Sequence, residues 1–362
     1  MITLVGIFTD FGLPEALQKF LPQPNHKQLL FPTISLEFLL VVIGATSIFI
    51  IDLALGGQIS QGYSLLLFFC IIFSASNTII LSFNGLRQNL KTSIYFLGAA
   101  VSFLIITFVC YFYFQLNIVE SFLTGRLTSW LLFTIIPLID LYLQKLLPVN
   151  FKLTKRYLSF AANNFVIISA FAFINNWDSI IITNVLGTYI NGVYKSVATL
   201  GLLPNILAVV LNTKLLPEYS YLHSKKLNTE LRNSNKKITL LIIFITVIFT
   251  LSSIPLSKWA LTIIFSPEIA TQGYSLLPFF ITAGFAYVCS IPAVSVLQAL
   301  GQESFVRNIA IIQSIIYFLG SILVLTLGNL FLLPLLLLSI NVTYSLIIWL
   351  KASRSLTNLS YT

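Results

Sequence analysis

Asn175, Asn176 and Asp178 stand together in an otherwise apolar stretch, and Asn191, Tyr194 and Lys195 follow across the turn at Gly187-Thr188. An ionisable group in such surroundings is expensive, about 2.5–3.5 kcal/mol at the centre of a bilayer on insertion scales. Groups kept against that cost can hold an anion, take up a proton or cation, or hydrogen-bond a polyhydroxyl ligand. Asp178 precedes Thr188 by ten residues and Lys195 follows it by seven. At ~1.5 Å of rise per residue both lie ~10–15 Å from the turn. They are expected to pair inside a helical bundle. Two readings stay open: a buried ion pair that fixes the register of two helices, or a cavity lined by one anion-binding and one proton- or cation-binding group.

Lys19 and Lys214 are a second pair of candidates. Each opens a Lys-x-Leu-Pro sequence, Lys19-Phe20-Leu21-Pro22 and Lys214-Leu215-Leu216-Pro217. Each is read as ending a helix at the cytoplasmic mouth, where the ammonium group either snorkels to lipid phosphate or recognises a substrate phosphate. Asp140, near Gln144 and Lys145, is read as solvated at an interface, and Glu37 and Asp52 are read either way. Cys70, Cys110 and Cys289 lie far apart within apolar stretches and are read as packing thiols. His26 and His223 are too isolated to suggest a metal site. No Walker A loop, Ser/His/Asp cluster or metal constellation is present in the sequence, so neither an enzyme nor a cofactor is expected.

The elements that must position these residues are membrane helices. Hydrophobic residues make up 57% of the 362 and charged residues 9%, with a mean hydropathy of +0.94. That composition cannot furnish a polar exterior. Stretches at 29–55, 63–84, 93–115, 127–147, 160–186, 192–213, 238–256, 274–299, 305–327 and 330–350 each approach the ~20 residues needed to span. Residues 1–20 form a weaker eleventh segment. Backbone satisfaction in lipid leaves helices or a closed barrel, and no period-two alternation supports a barrel. An all-α polytopic membrane protein of about eleven transmembrane helices is expected. Pro204, Pro255, Pro278 and Pro292 are expected to break or bend their helices.

Seventeen of the twenty Lys and Arg fall on one side of the membrane, and only Arg126, Lys195 and Lys258 on the opposite side. This bias makes 21–28, 85–92, 148–159, 214–237, 300–304 and the C-terminus cytoplasmic, in a multi-pass protein of the cytoplasmic (inner) membrane. It also accounts for the net charge of +9 without a nucleic-acid surface. Met1 would then lie outside without a secretory signal, so the chain is expected to lack one upstream helix, with an even count of twelve in the longer form. Tyr95-Phe96-Leu97-Gly98 recurs as Tyr317-Phe318-Leu319-Gly320, each expected to open a helix after a cytoplasmic turn. Together with the Lys-x-Leu-Pro pair, this indicates two parallel repeats: a bundle at 1–147, a cytoplasmic linker at 148–159 and a second bundle at 160–362.

Phe173-Ile174-Asn175-Asn176-Trp177-Asp178 continues through Leu186-Gly187 to Gly192-Val193-Tyr194. This run resembles the start of the second half of lipid-linked oligosaccharide flippases of the multidrug/oligosaccharidyl-lipid/polysaccharide (MOP) exporter superfamily. Leu215-Leu216-Pro217-Glu218 looks like the end of that family's eighth helix, and Phe11-Gly12-Leu13-Pro14-Glu15 through Lys19 like its second. The family's first helix has no counterpart here. The resemblance implies a MATE-like fold and a membrane transporter that flips an isoprenoid-pyrophosphate-linked oligosaccharide by alternating access for surface polysaccharide assembly, reset by a gradient of H+ or Na+. It implies anion contact by Lys19, Lys195 and Lys214, with Asp178 coupled to Lys195 or to a cation. Asn175, Asn176 and Asn191 would bond sugar hydroxyls. The partners implied are the lipid bilayer, the lipid-linked oligosaccharide and the coupling ion. The competing readings are a cation-coupled exporter of small molecules or drugs on the same fold, and an inactive truncated fragment.

Overall fold

The computed structural model describes residues 11–23, 27–54, 64–72, 76–146 and 153–359. The described residues are helical throughout, without a strand. The helices are α1 (Leu13–Phe20), α2 (Leu30–Ala54), α3 (Ser64–Ile72), α4 (Ser76–Gly85), α5 (Asn89–Phe112), α6 (Ile118–Leu143) and α7 (Lys155–Leu186). They continue as α8 (Thr188–Gly201), α9 (Pro204–Ser224), α10 (Asn228–Ile264), α11 (Pro267–Gly273), α12 (Leu277–Ala299), α13 (Glu303–Thr326) and α14 (Leu332–Leu359). Nine helical stretches among the described residues are long and apolar enough to cross a bilayer, and the bent pair α8–α9 brings the number to ten. The protein is an all-α, multi-pass membrane protein. The start of the expected weaker segment 1–20, His26 and residues 148–152 of the expected linker lie outside the described residues.

The chain divides within α7 into two compact units, Met1–Ile168 and Ser169–Thr362. In the first unit α5 and α6 form a hairpin, and α1 packs on α4. Only 6% of the apolar window of α5 is buried, so that helix is largely exposed outside its contact with α6. Gly12 caps α1 at φ 67°, and a Cβ there would stand 2.3 Å from the Ala161 carbonyl oxygen. A side chain is therefore excluded on both backbone and packing grounds. In the second unit α12 is the central helix, 78% buried over its window, with α8, α9, α10 and α14 around it.

Several expectations are corrected. The basic segment 214–237 is not a loop, because α9 runs to Ser224 and α10 starts at Asn228. Lys214-Leu215-Leu216-Pro217 therefore lies inside α9 and does not end it. Pro217 is accommodated within that helix, as Pro255 is within α10 and Pro292 within α12. Pro204 and Pro278 instead occupy first turns, where a missing N–H costs nothing. The break before Pro204 bends the α8–α9 span by 43°. Tyr317 does not open a helix but sits in mid-α13. Arg126 and Lys258, outside the expected spans 127–147 and 238–256, are not in loops either: they lie on α6 and α10.

Candidate functional site

The polar residues of α7 and α8 are brought together in the second unit, though not in the expected pairing. Asp178 is 4% exposed and lies in an apolar layer formed by Ile174, Ile182, Val197, Ala198 and Phe280. Its Oδ2 accepts from the Tyr194 hydroxyl at 2.7 Å and from the Tyr317 hydroxyl at 3.4 Å. Its Oδ1 accepts from the Ser179 backbone N–H at 2.7 Å. Both tyrosines are fully buried. Three helices, α7, α8 and α13, thus converge on one carboxylate, as burial of a carboxylate in an apolar layer requires.

Lys195 makes no direct ion pair with Asp178, although its charge acts on that carboxylate. Its Nζ donates to the Asn175 backbone oxygen at 2.8 Å. The ammonium group thereby supplies a second hydrogen bond across the α7–α8 hairpin, beside that of Tyr194, and retains two further N–H donors. Asn175 contributes to this contact through its backbone. Asn176 is exposed and turns its amide back to the Ala172 carbonyl. Asn191 carries a buried Oδ1 that accepts from nothing among the described residues. Trp177 stacks on Phe173 at 5.2 Å and packs on Phe318 at 4.8 Å, which fastens α7 to α13 beside Asp178.

The matched lysines part company. Lys214 is exposed on α9. Lys19 is 1% exposed in the first unit, its Nζ 4.1 Å from the centroid of the Phe160 ring and 5.3 Å from that of Phe20. Gln18 beside it is fully buried with both amide heavy atoms unbonded among the described residues. Glu37 is also buried and accepts from the Thr78 hydroxyl, while Tyr157 bridges Thr33 and the Leu13 carbonyl. Asp140 is not merely solvated. It takes Lys91 at 2.6 Å, Tyr95 at 2.7 Å and Gln144 at 2.8 Å, closing one end of the α5–α6 hairpin.

Sequence reasoning missed Tyr317 and the Gln313–Asn341 bond that continues to the Ala283 carbonyl. Tyr317 occurred in the repeat motif, but nothing local placed it opposite Asp178, 139 residues earlier in the chain.

Residues 1–269 match the family described as polysaccharide biosynthesis protein. The chain belongs to that family. No curated protein matches the sequence. Among solved structures, the chain is similar to a mutant of the Vibrio cholerae MATE transporter VcmN. That match has a TM-score of 0.83 at 15% identity and covers 100% of this chain and 88% of the other. It is similar also to an outward-facing multidrug resistance MATE family transporter of the MOP superfamily, with a TM-score of 0.77 at 9% identity over 100% and 87% of the two chains. At these identities the likeness establishes the fold, which is that of the MATE transporters.

Proposed function

We propose that this family member carries an isoprenoid-pyrophosphate-linked oligosaccharide from the cytoplasmic to the outer leaflet by alternating access, with its C-terminus in the cytoplasm. The observation that carries this reading is the buried polar constellation at Asp178 within an apolar span, in a chain of the polysaccharide biosynthesis family. Intramembrane ionisable groups that are held rather than eliminated mark substrate or ion paths. The two donors that Lys195 retains suit an anionic pyrophosphate. Asn191, with its unsatisfied buried amide oxygen, suits a sugar hydroxyl. Lys19 and Lys214 are further anion contacts in this reading. Asn175 and Asn176 have amides to offer a glycan, although that of Asn176 must first release the Ala172 carbonyl.

Asp178 has the role of the coupling group. A cation or proton arriving at its Oδ2 competes with the Tyr194 hydroxyl, and loss of that bond loosens α8 against α7, leaving the Lys195–Asn175 bond between them. Binding is thus tied to a change in helix contacts, which a coupled transporter needs. The same observation favours the second reading, a small-molecule exporter driven by H+ or Na+, since a buried carboxylate serves either cargo.

The test is complementation of cells lacking a glycan flippase. Surface glycan is expected from the parent chain, and its loss is expected in Lys195→Ala and Asp178→Ala at equal membrane levels. Normal glycan in both variants refutes the site. A drug-resistance phenotype without glycan export moves the assignment to the small-molecule exporter.

A further inference from the structure

Arg126 is an intramembrane cation that takes no part in the constellation at Asp178. It lies on α6 eight residues, or ~12 Å, from Ile118 and seventeen residues, ~26 Å, from Leu143. Its guanidinium carbon stands 4.0 Å from the centroid of the Trp130 ring and 5.7 Å from that of Phe103 on α5. Trp130 is one turn further from the near end of the helix, and its ring lies against the guanidinium. Phe103 lies at a similar depth on α5, nine residues (~14 Å) from the helix end at Phe112. The head group is thus held at depth between two aromatic faces instead of extending to the interface, as a snorkelling arginine does.

The surroundings are apolar: Cys70, Leu123 and Trp130 form a buried cluster with Leu66 and Leu127 packed on it. The Cys70 thiol does not serve the arginine but donates to the Leu123 carbonyl. Among the described residues no carboxylate pairs with Arg126 and no oxygen accepts from it, and the two rings flank its guanidinium. Ring stacking covers the face of a guanidinium and leaves its in-plane N–H donors unused. A planar fork of donors at membrane depth, shelved on a ring and without an acceptor among the described residues, fits a tetrahedral oxyanion bidentately.

We infer that Arg126, on the Trp130 shelf, binds the phosphate group of a lipid within the first unit. Two lipids carry that chemistry, a polyprenyl-pyrophosphate carrier and an anionic phospholipid of the bilayer. The carrier as occupant rests on the function proposed above; the phosphate site does not.

The full chain in detergent is titrated with a polyprenyl pyrophosphate, the matching polyprenyl alcohol and phosphatidylglycerol, with bound lipid read by native mass spectrometry. Arg126→Gln is expected to weaken the pyrophosphate lipid about tenfold or more. Arg126→Lys should restore part of that loss, and the alcohol should bind all forms alike. Phosphatidylglycerol that competes with the pyrophosphate lipid supports the site and makes bulk phospholipid its occupant. Failure to compete supports the site and makes the carrier its occupant. Unchanged binding of the pyrophosphate lipid by a folded Arg126→Gln overturns the inference. Where that variant does not fold, Trp130→Leu is compared instead, since it removes the shelf and keeps the charge; undiminished binding there overturns the inference equally. Glycan export in complemented cells is scored separately. Export with unaltered Arg126→Gln binding rejects this site alone, and lost binding without glycan export rejects only the transport reading.

Discussion

The bond between Tyr194 and Asp178 is expected to be a measurable part of the stability of the second unit, and its size follows from the geometry. The pair is separated by 2.7 Å, with Asp178 4% exposed and Tyr194 fully buried. A hydrogen bond to a charged acceptor contributes about 1.5–3 kcal/mol in soluble proteins. Between membrane helices double-mutant cycles average only about 0.6 kcal/mol with a ceiling near 1.7, because the unfolded chain in lipid also finds partners. The second consideration governs here, and the short distance and full burial place the pair toward the ceiling. A coupling energy of about 1–1.7 kcal/mol is expected between Asp178→Ala and Tyr194→Phe. Tyr317 reaches the same oxygen at 3.4 Å, so the coupling of Tyr317→Phe should stay below about 0.5 kcal/mol. Reversible unfolding of the parent, the three single variants and the two double variants in mixed micelles, titrated with a denaturing detergent, measures both. Coupling below about 0.3 kcal/mol at Tyr194, or a larger value at Tyr317, would refute the assignment of Tyr194 as the principal partner.

Two other substitutions test packing and surface electrostatics. A Cβ at Gly201 would stand 2.3 Å from the Cβ of Phe280, so Gly201→Val should destabilise by about 1–3 kcal/mol through overpacking at the α8–α12 contact, read by the same unfolding assay. Asp140→Asn removes the 2.6 Å ion pair to Lys91, but the two side chains are 41% and 22% exposed. Solvent screening limits the loss to about 1 kcal/mol or less, and a shift in the unfolding midpoint well beyond that would assign Asp140 a deeper role.

The amino-acid sequence alone determined the solvent of this protein and the course of most helices. The ~20-residue apolar threshold is a local property, and backbone groups in lipid have no partner but their own helix. The hairpin at Gly187 and the polar run around Asp178 were legible for that reason. What sequence could not determine was which helix ends lie in loops. The basic segment 214–237 reads as a loop by charge, yet solvated lysines at a membrane surface continue a helix as readily as they end one. The pairings were equally out of reach. Lys195 and Asp178 have opposite charges and similar depths, but the rotation of α7 against α8 sends the lysine to the Asn175 carbonyl and the carboxylate to Tyr194 and Tyr317. Lys19 and Lys214 share a motif, but only Lys19 is covered by aromatic rings. Arg126, counted as a loop charge, proves to be shelved on Trp130. Depth follows from the count of residues along one helix, whereas partners depend on the rotation and approach of neighbouring helices, and those are decided only when distant segments pack.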